Sequence, residues 1–341
     1  MTEHVDINWK TLGYDYTRID WNYLSFWKDG AWDDGRLTQE NSVTISLGST
    51  ALHYAQECFE GLKAQTAKDG RIVLFRPDQN AKRMQAGARG ILMPEVPEEK
   101  FLNACRQVVD ANRRWIPPYG SGAALYLRPV LFGHGDNLGA KPASEYIFAV
   151  FGSPVGPYFK QGLRPIMVKV SEYDRVAPIG TGALKVGGNY AAGLAARAAA
   201  TRDGYADCLY LDPKTRTYID EIGGTNFFGI TGDNRFVTPD SPTILPSITR
   251  RTVAEIATRY LDMTVEERLV PIAEISDFVE AGACGTASAI TPVGGIFYQG
   301  ILHTFYQGGQ EAGPVTCRLY ELLTAIQCGD HEAPEGWIVE I

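Results

Sequence analysis

The sequence predicts a two-domain chain: a smaller α+β N-terminal domain over residues 1–152 and a larger α/β domain over 163–341, joined by a linker at 153–162. Three observations predict it. The chain has 341 residues, 45% hydrophobic and 21% charged, enough for one large core or two ordinary ones. The segment SPVGPYFKQG at 153–162 is rich in Gly and Pro and has no hydrophobic period, as a connection should be. The patterning also changes across it. Strands and two helices precede it, whereas strands interleaved with helices and hairpins follow.

Taken in order, residues 1–50 hold strand-like pieces separated by turns at Asp29-Gly30 and Asp33-Asp34-Gly35. RIVLFR at 71–76 alternates as a strand, and a helix capped by Asp78 runs to about Gly90. A second helix covers 97–114, with Phe101, Leu102, Cys105, Val108 and Val109 on one face. Ala123–Phe132 and Tyr146–Phe151 are apolar strands. Past the linker come a strand at Leu163–Val170 and a helix at 187–202. Two strand pairs follow, Cys208–Leu211 with Thr217–Asp220 and Asn226–Ile230 with Phe236–Thr238. Helices at 248–261 and 273–280, a strand near 283–290 and a helix at 314–327 complete the chain. This is not a regular βαβ series, which argues against a doubly wound sheet.

Composition excludes several classes. Lys and Arg total 32 against 40 Asp and Glu, a net charge of −8 with no basic stripe, so nucleic acid is not the expected partner. The six cysteines, Cys58, Cys105, Cys208, Cys284, Cys317 and Cys328, form no C-x-x-C and no zinc spacing, so no metal site is expected and the thiols read as reduced and mostly buried. MTEHVDINWK has neither a basic nor an apolar signal region, and no apolar run spans a bilayer, so the expected place is the cytoplasm. There are 36 glycines, about 10.6% against a usual ~7%, which points to tight loops and close backbone approaches.

Five segments carry possible chemistry. Gly180 to Tyr190, GTGALKVGGNY, surrounds Lys185 with glycine. A P-loop needs Gly before the Lys and Ser or Thr after it, and here Leu184 and Val186 stand there. A dinucleotide fingerprint needs Gly at Lys185 itself. What remains is a Schiff-base lysine or a solvated loop lysine. DEIGGTN at 220–226 puts a carboxylate at a strand end beside two glycines, to meet a ligand closely or to open a turn. LPSITRR at 245–251 starts a helix near Ser247, and the amides of Ile248 and Thr249 would face an anion there if the helix is more than an ordinary capped one. GACGTAS at 282–288 suits close packing or a loop cradling anionic oxygens. LHYAQECFEGLK at 52–63 fits no period, and alternation puts Tyr126 and Arg128 on one strand face, where the Arg needs an internal acid or a ligand carboxylate.

Together the segments LHYAQECFEGLKA, LFRPDQNAKRM, YLRPVLFG, LKVGGNY, EIGGTN, LPSITR and GTASAITPV resemble the fold-type IV pyridoxal-phosphate enzymes, and among them the branched-chain amino acid aminotransferases. The resemblance runs from about Asn22 to Trp337, nearly the whole chain. It implies a D-amino acid aminotransferase-like fold, with a pseudo-barrel in the larger domain that binds pyridoxal 5'-phosphate. It implies reversible transamination of L-leucine, L-isoleucine and L-valine with 2-oxoglutarate.

The roles it implies fall on numbered residues of this chain. Lys185 would be catalytic, binding the cofactor as a Schiff base and carrying the α-proton. Glu221 would sit on the ring nitrogen and Tyr190 on the phenolic oxygen. Arg83, the amides of Ile248 and Thr249, and Thr286 would hold the phosphate. Gly224 would line the cofactor where relatives often have Thr. Tyr126, Thr286 and Ala287 would take the substrate α-carboxylate, and Arg128 with Tyr158 a side-chain carboxylate. Phe59 would line the alkyl pocket, with Tyr54 and Leu138 lent across a homodimer interface. Ser288 and Thr291 stand where some relatives have C-x-x-C, so a thiol switch there is absent.

Rivals within the fold are a D-amino acid aminotransferase, an aminodeoxychorismate lyase and an (R)-amine transaminase. The Arg-x-His of D-amino acid enzymes is missing from GHGDNLGA at 133–140. Outside the fold, a nicotinamide oxidoreductase lacks its glycine fingerprint, and a non-catalytic protein would have lost Lys185 or Glu221.

Overall fold

The computed structural model describes residues 4–156 and 163–341. The chain divides into two compact units, one of residues 1–160, 184–187 and 326–341, the other of 161–183 and 188–325. The sequence reading assigned all of 163–341 to the second domain; the structure gives the short lysine-bearing piece and the last sixteen residues to the first unit.

In the first unit, β1 (Asn22–Lys28), β2 (Ala31–Trp32) and β3 (Arg36–Thr38) form the opening hairpins. The β1–β2 turn places Asp29 and Gly30 at positive φ, as a tight hairpin requires. A short helix α1 (Thr50–Tyr54) precedes β4 (Glu57–Phe59), β5 (Leu62–Thr66) and β6 (Ile72–Phe75). Helices α2 (Pro77–Gly90) and α3 (Glu98–Ala111) follow, then the long strands β7 (Ala124–His134) and β8 (Glu145–Val155). Asp78 lies in the first turn of α2 and does not cap it. The cap position is Arg76, at φ 49, and Pro77 opens the helix with its fixed φ. β8 pairs with β7 from Glu145 to Val155, so the first three residues of the expected linker, Ser153 to Val155, belong to a strand.

The second unit contains β9 (Ile166–Val170), α5 (Leu194–Arg202), β10 (Asp207–Leu211), β11 (Ile219–Ile222), β12 (Thr225–Thr231) and β13 (Arg235–Pro239). Before α5 the chain makes a short α4 (Gly187–Ala192), so the helix expected over 187–202 is broken at Gly193. Then come α6 (Ile248–Leu261), β14 (Thr264–Arg268), β15 (Phe278–Gly285), β16 (Ala289–Tyr298), β17 (Ile301–Thr304) and α7 (Pro314–Gln327). The expected helix at 273–280 is a 3-10 turn over Ile272–Asp277 that runs into β15, and the strand expected near 283–290 is a hairpin, β15 and β16. The two expected strand pairs are β10 with β11 and β12 with β13, both antiparallel.

The sheets differ in closure. The first runs β18 (Ile338–Glu340), β6, β5, β7, β8, β1, β2 and keeps two ends. In the second, β11 pairs with β10 and also with β12, so β9, β10, β11, β12, β15 and β16 close on themselves as a pseudo-barrel. A closed ring removes those strand edges. Each unit has its own core. In the first, Phe101, Cys105, Val108 and Val109 of α3 pack with Leu125, Leu127 and Phe148. In the second, Leu209, Ile222, Phe227, Val293 and Ile296 are buried together.

Candidate functional site

In the first unit the lysine is delivered by a piece of chain laid beside β4. Val186 forms an antiparallel bridge with Cys58, and the Phe59 N–H donates to the Lys185 carbonyl at 3.1 Å. The half-buried Lys185 places its Nζ 4.7 Å from the centre of the Phe59 ring. The Arg128 guanidinium lies 4.8 Å from the same ring and 5.4 Å from that of Tyr126. An ammonium or guanidinium on an aromatic face gains about 0.5–2 kcal/mol, enough to bias a long side chain's position.

The alternation predicted for Tyr126 and Arg128 holds. Leu125, Leu127 and Leu131 point into the core, while Tyr126 and Arg128 share the opposite face of β7. Arg128 Nη2 donates to the Tyr126 hydroxyl at 3.4 Å, and its Nε is a buried donor without a hydrogen-bond partner among the described residues. Gly61 is what admits the Tyr126 ring, since a Cβ there would lie 1.9 Å from the tyrosine hydroxyl.

Arg83 sits differently from a simple phosphate ligand. Its Nε and Nη2 form a bidentate pair with Glu60, at 2.7 and 2.9 Å, and the Glu60 side chain is fully buried. Asn80 adds a third donor to Glu60 at 2.7 Å. Tyr54 and Leu138 meet, the Tyr54 hydroxyl donating to the Leu138 carbonyl at 2.6 Å. Leu138 is 89% exposed, and Leu47 and Leu52 of the same unit are exposed too. Tyr158 lies outside the described residues. A second lysine, Lys63 on β5, is pushed down to about 8 by burial.

In the second unit Glu221 lies at the end of β11, just before a turn in which Gly223 is left-handed at φ 56. Its carboxylate is buried and accepts the Leu245 N–H at 2.7 Å. Arg175 stands 3.6 Å from the other carboxylate oxygen, and is itself fixed by the carbonyls of Gly182, at 3.1 Å, and Thr243. Asp220, also buried, accepts from Thr243 Oγ1 at 2.8 Å. Burial pushes its carboxyl up to about 6, a rise that Thr243 and Arg175 partly offset. Sequence reasoning missed Arg175. Its one signal was a lone arginine in a stretch without period, five residues before Gly180.

Tyr190 and Gly224 are neighbours, for a Cβ on Gly224 would touch the Tyr190 ring at 3.4 Å. Helix α6 begins as expected. Ser247 Oγ accepts from Arg250 N at 3.1 Å, and the Ser247 carbonyl accepts from Arg251 N. That cap serves the third and fourth amides, leaving those of Ile248 and Thr249 at the helix start, where the dipole favours an anion. Thr286, Ala287 and Ser288 form the turn between β15 and β16. A buried carboxylate, a helix N-terminus and a small-residue turn suit an anionic, nitrogen-containing aromatic group, so the residues present fit pyridoxal 5'-phosphate.

Comparison with known proteins supplies the family. The model of "Amino-transferase class IV" matches residues 57–296. The chain is 55% identical to the branched-chain-amino-acid aminotransferase of Haemophilus influenzae, over 98% of this chain and 99% of that one. It is 50% identical to that of Helicobacter pylori, over 98% of each. Among solved structures it resembles the branched-chain amino acid aminotransferase of Escherichia coli, at a TM-score of 0.75 and 27% identity, over 94% of this chain and 99% of that one. It also resembles a branched-chain amino acid aminotransferase solved with pyridoxamine 5'-phosphate, at a TM-score of 0.78 and 25% identity, over 95% of this chain and 99% of that one.

Proposed function

The chain belongs to the class IV aminotransferases, and on that premise we propose that it transfers the amino group of L-leucine, L-isoleucine and L-valine reversibly to 2-oxoglutarate, with pyridoxal 5'-phosphate as cofactor. The cofactor, when bound, supplies the aldehyde that takes up the amino group and a ring that accepts the electron pair left at Cα. The observation that carries the reading is the placement of Lys185, whose backbone is tied to β4 and whose amine lies against Phe59.

Lys185 Nζ binds the cofactor and moves the proton at Cα. Glu221 holds the proton on the ring nitrogen. Arg175 stands 3.6 Å from its carboxylate. Tyr190 holds the phenolic oxygen and Gly224 lets it lie close. The amides of Ile248 and Thr249, with Thr286 and Arg83, hold the phosphate. Arg83 does so while its Nε and Nη2 stay on Glu60, so its part is charge and orientation more than a full fork.

Tyr126, Thr286 and Ala287 take the α-carboxylate. Arg128, whose buried Nε has no hydrogen-bond partner among the described residues, takes the side-chain carboxylate of glutamate, together with Tyr158. Phe59 offers the apolar wall for a branched alkyl group. Exposed Leu47, Leu52, Tyr54 and Leu138 support a homodimer in which each copy lends Tyr54 and Leu138 to its partner. No helix among the described residues is long and apolar enough to cross a membrane, which accords with a cytoplasmic enzyme.

The test is spectroscopic. The purified protein should be yellow and should bleach on adding L-leucine but not D-alanine. A colourless protein, or one bleached by D-alanine alone, rejects the reading. Lys185→Ala should slow the L-leucine half-reaction by at least about 10³-fold. Borohydride treatment of the yellow protein followed by peptide mass mapping should place the cofactor on Lys185 and not on Lys63.

A further inference from the structure

We propose that Glu57 is a positioning residue for Lys185, closing a three-residue clamp that holds the lysine-bearing segment on β4. The proposal rests on the role given to Lys185 above.

The clamp is visible residue by residue. β4 has only three residues, and each engages one residue of the neighbouring piece. Phe59 N–H donates to the Lys185 carbonyl, and Cys58 bridges Val186. The Glu57 carboxylate lies against the Gly187 backbone, near its N–H. The approach is close: a Cβ added to Gly187 would lie 1.6 Å from Glu57 Oε1. The backbone is therefore held at Lys185 and at the two residues after it, by one backbone bond, one bridge and one carboxylate.

Physical chemistry says why a carboxylate is used there. A single isolated bridge is a weak determinant of register, since most of a strand's hold comes from a continued ladder. β4 cannot continue it, because Gly187 opens α4 and turns its N–H away from strand geometry. A charged acceptor makes a bond about twice as strong as a neutral one and can reach a helix-start amide that no strand carbonyl faces. Period-2 alternation then puts Glu57 on the same face of β4 as Phe59. One side chain fixes the backbone after the lysine, and the other carries its amine at 4.7 Å. Burial raises the Glu57 carboxyl's affinity for its proton, and the Gly187 N–H and the charge of Arg128 offset only part of that rise. Glu57 has no role on substrate or cofactor in the reading above, so it acts through Lys185.

The experiment uses the cofactor-loaded protein and follows the L-leucine half-reaction by loss of visible absorption. Glu57→Ala should lower the limiting rate by about tenfold or more while changing the apparent L-leucine dissociation constant by less than about threefold. Glu57→Gln keeps an oxygen acceptor without the charge and should recover part of that loss. Gly187→Ala displaces the same carboxylate from the other side and should reproduce the Glu57→Ala defect. It retains the acid, so it serves if Glu57→Ala does not fold. The double variant should be little worse than either single one, because both break the same contact.

A second readout is independent of turnover. Borohydride trapping of added pyridoxal 5'-phosphate, mapped by peptide mass, should label Lys185 more slowly in Glu57→Ala than in the unaltered protein. Unchanged rates with the label on Lys185 overturn the clamp alone, and so do additive losses in the double variant. A label on another lysine in the unaltered protein overturns the role of Lys185 and this proposal with it.

Discussion

The two units satisfy their buried charges by opposite means. In the first, one arginine is matched to one acid: Arg83 holds Glu60 through two parallel bonds, and Asn80 and the Gly61 N–H also donate to the acid. In the second, two adjacent acids, Asp220 and Glu221, are served by one arginine, a threonine hydroxyl and a backbone amide. The first arrangement is a closed pair with little charge to spare. In the second, burial is the main cause that pushes the Asp220 carboxyl up to about 6, against the opposing pull of Thr243 and Arg175. A bidentate pair fixes the position of both its members, whereas burial of two adjacent acids raises the hold of one of them on its proton.

Three substitutions can break or sharpen this contrast. The largest effect belongs to the closed pair. Glu60→Gln removes the anionic partner of a nearly buried guanidinium and should cost about 3–5 kcal/mol in urea-induced unfolding. A loss below about 1 kcal/mol would show that the pair is not the anchor its geometry implies. Added inorganic phosphate should restore part of the loss if Arg83 also serves an anion.

Asp220→Asn comes next and has the opposite sign. The carboxyl rises from an ordinary 3.8 to about 6, so the folded chain binds its proton more tightly than the unfolded one. The stability linked to that proton is complete below about pH 4 and is lost as pH rises through about 6. At pH 7 the charge costs up to about 3 kcal/mol, and Asn escapes that cost. The variant should therefore gain on the parent between pH 4 and pH 7 in thermal unfolding, and a pH-independent difference would refute the linkage. The smallest effect is at the helix start. Ser247→Ala removes the oxygen that accepts the Arg250 N–H and should cost about 1 kcal/mol, read from the unfolding of cofactor-free protein.

What could be read from the sequence followed what is local. Within the strand expected at 123–132, Tyr126 and Arg128 fall on one face because alternation is a property of the strand itself. Ser247 announced α6, whose observed span matches the expected one, because capping is a contact three residues long. The failures are contacts between distant residues or conflicts between local signals. The Arg83–Glu60 pair joins α2 to the chain before β5, and no pattern within either segment records it. Arg175 earns its place through residues 182, 221 and 243. At 278–280 the end of the expected helix is strand instead, because pairing with β12 and β16 draws Phe278–Gly285 into the sheet. Gly193 breaks the Ala-rich helix at a residue whose added Cβ would meet the Tyr210 hydroxyl at 3.1 Å, a crowding that sequence does not display.

The pairing of Ile338–Glu340 with β6 has a consequence for biosynthesis. The ribosome makes β6 more than 260 residues before its outer partner, so that margin of the sheet waits unpaired through most of translation. An exposed strand margin on a nascent chain invites pairing with neighbours on the same polysome. Folding of the first unit is therefore finished last, and short deletions at residues 338–340 should show up as aggregation during expression more than as altered catalysis by the molecules that do fold.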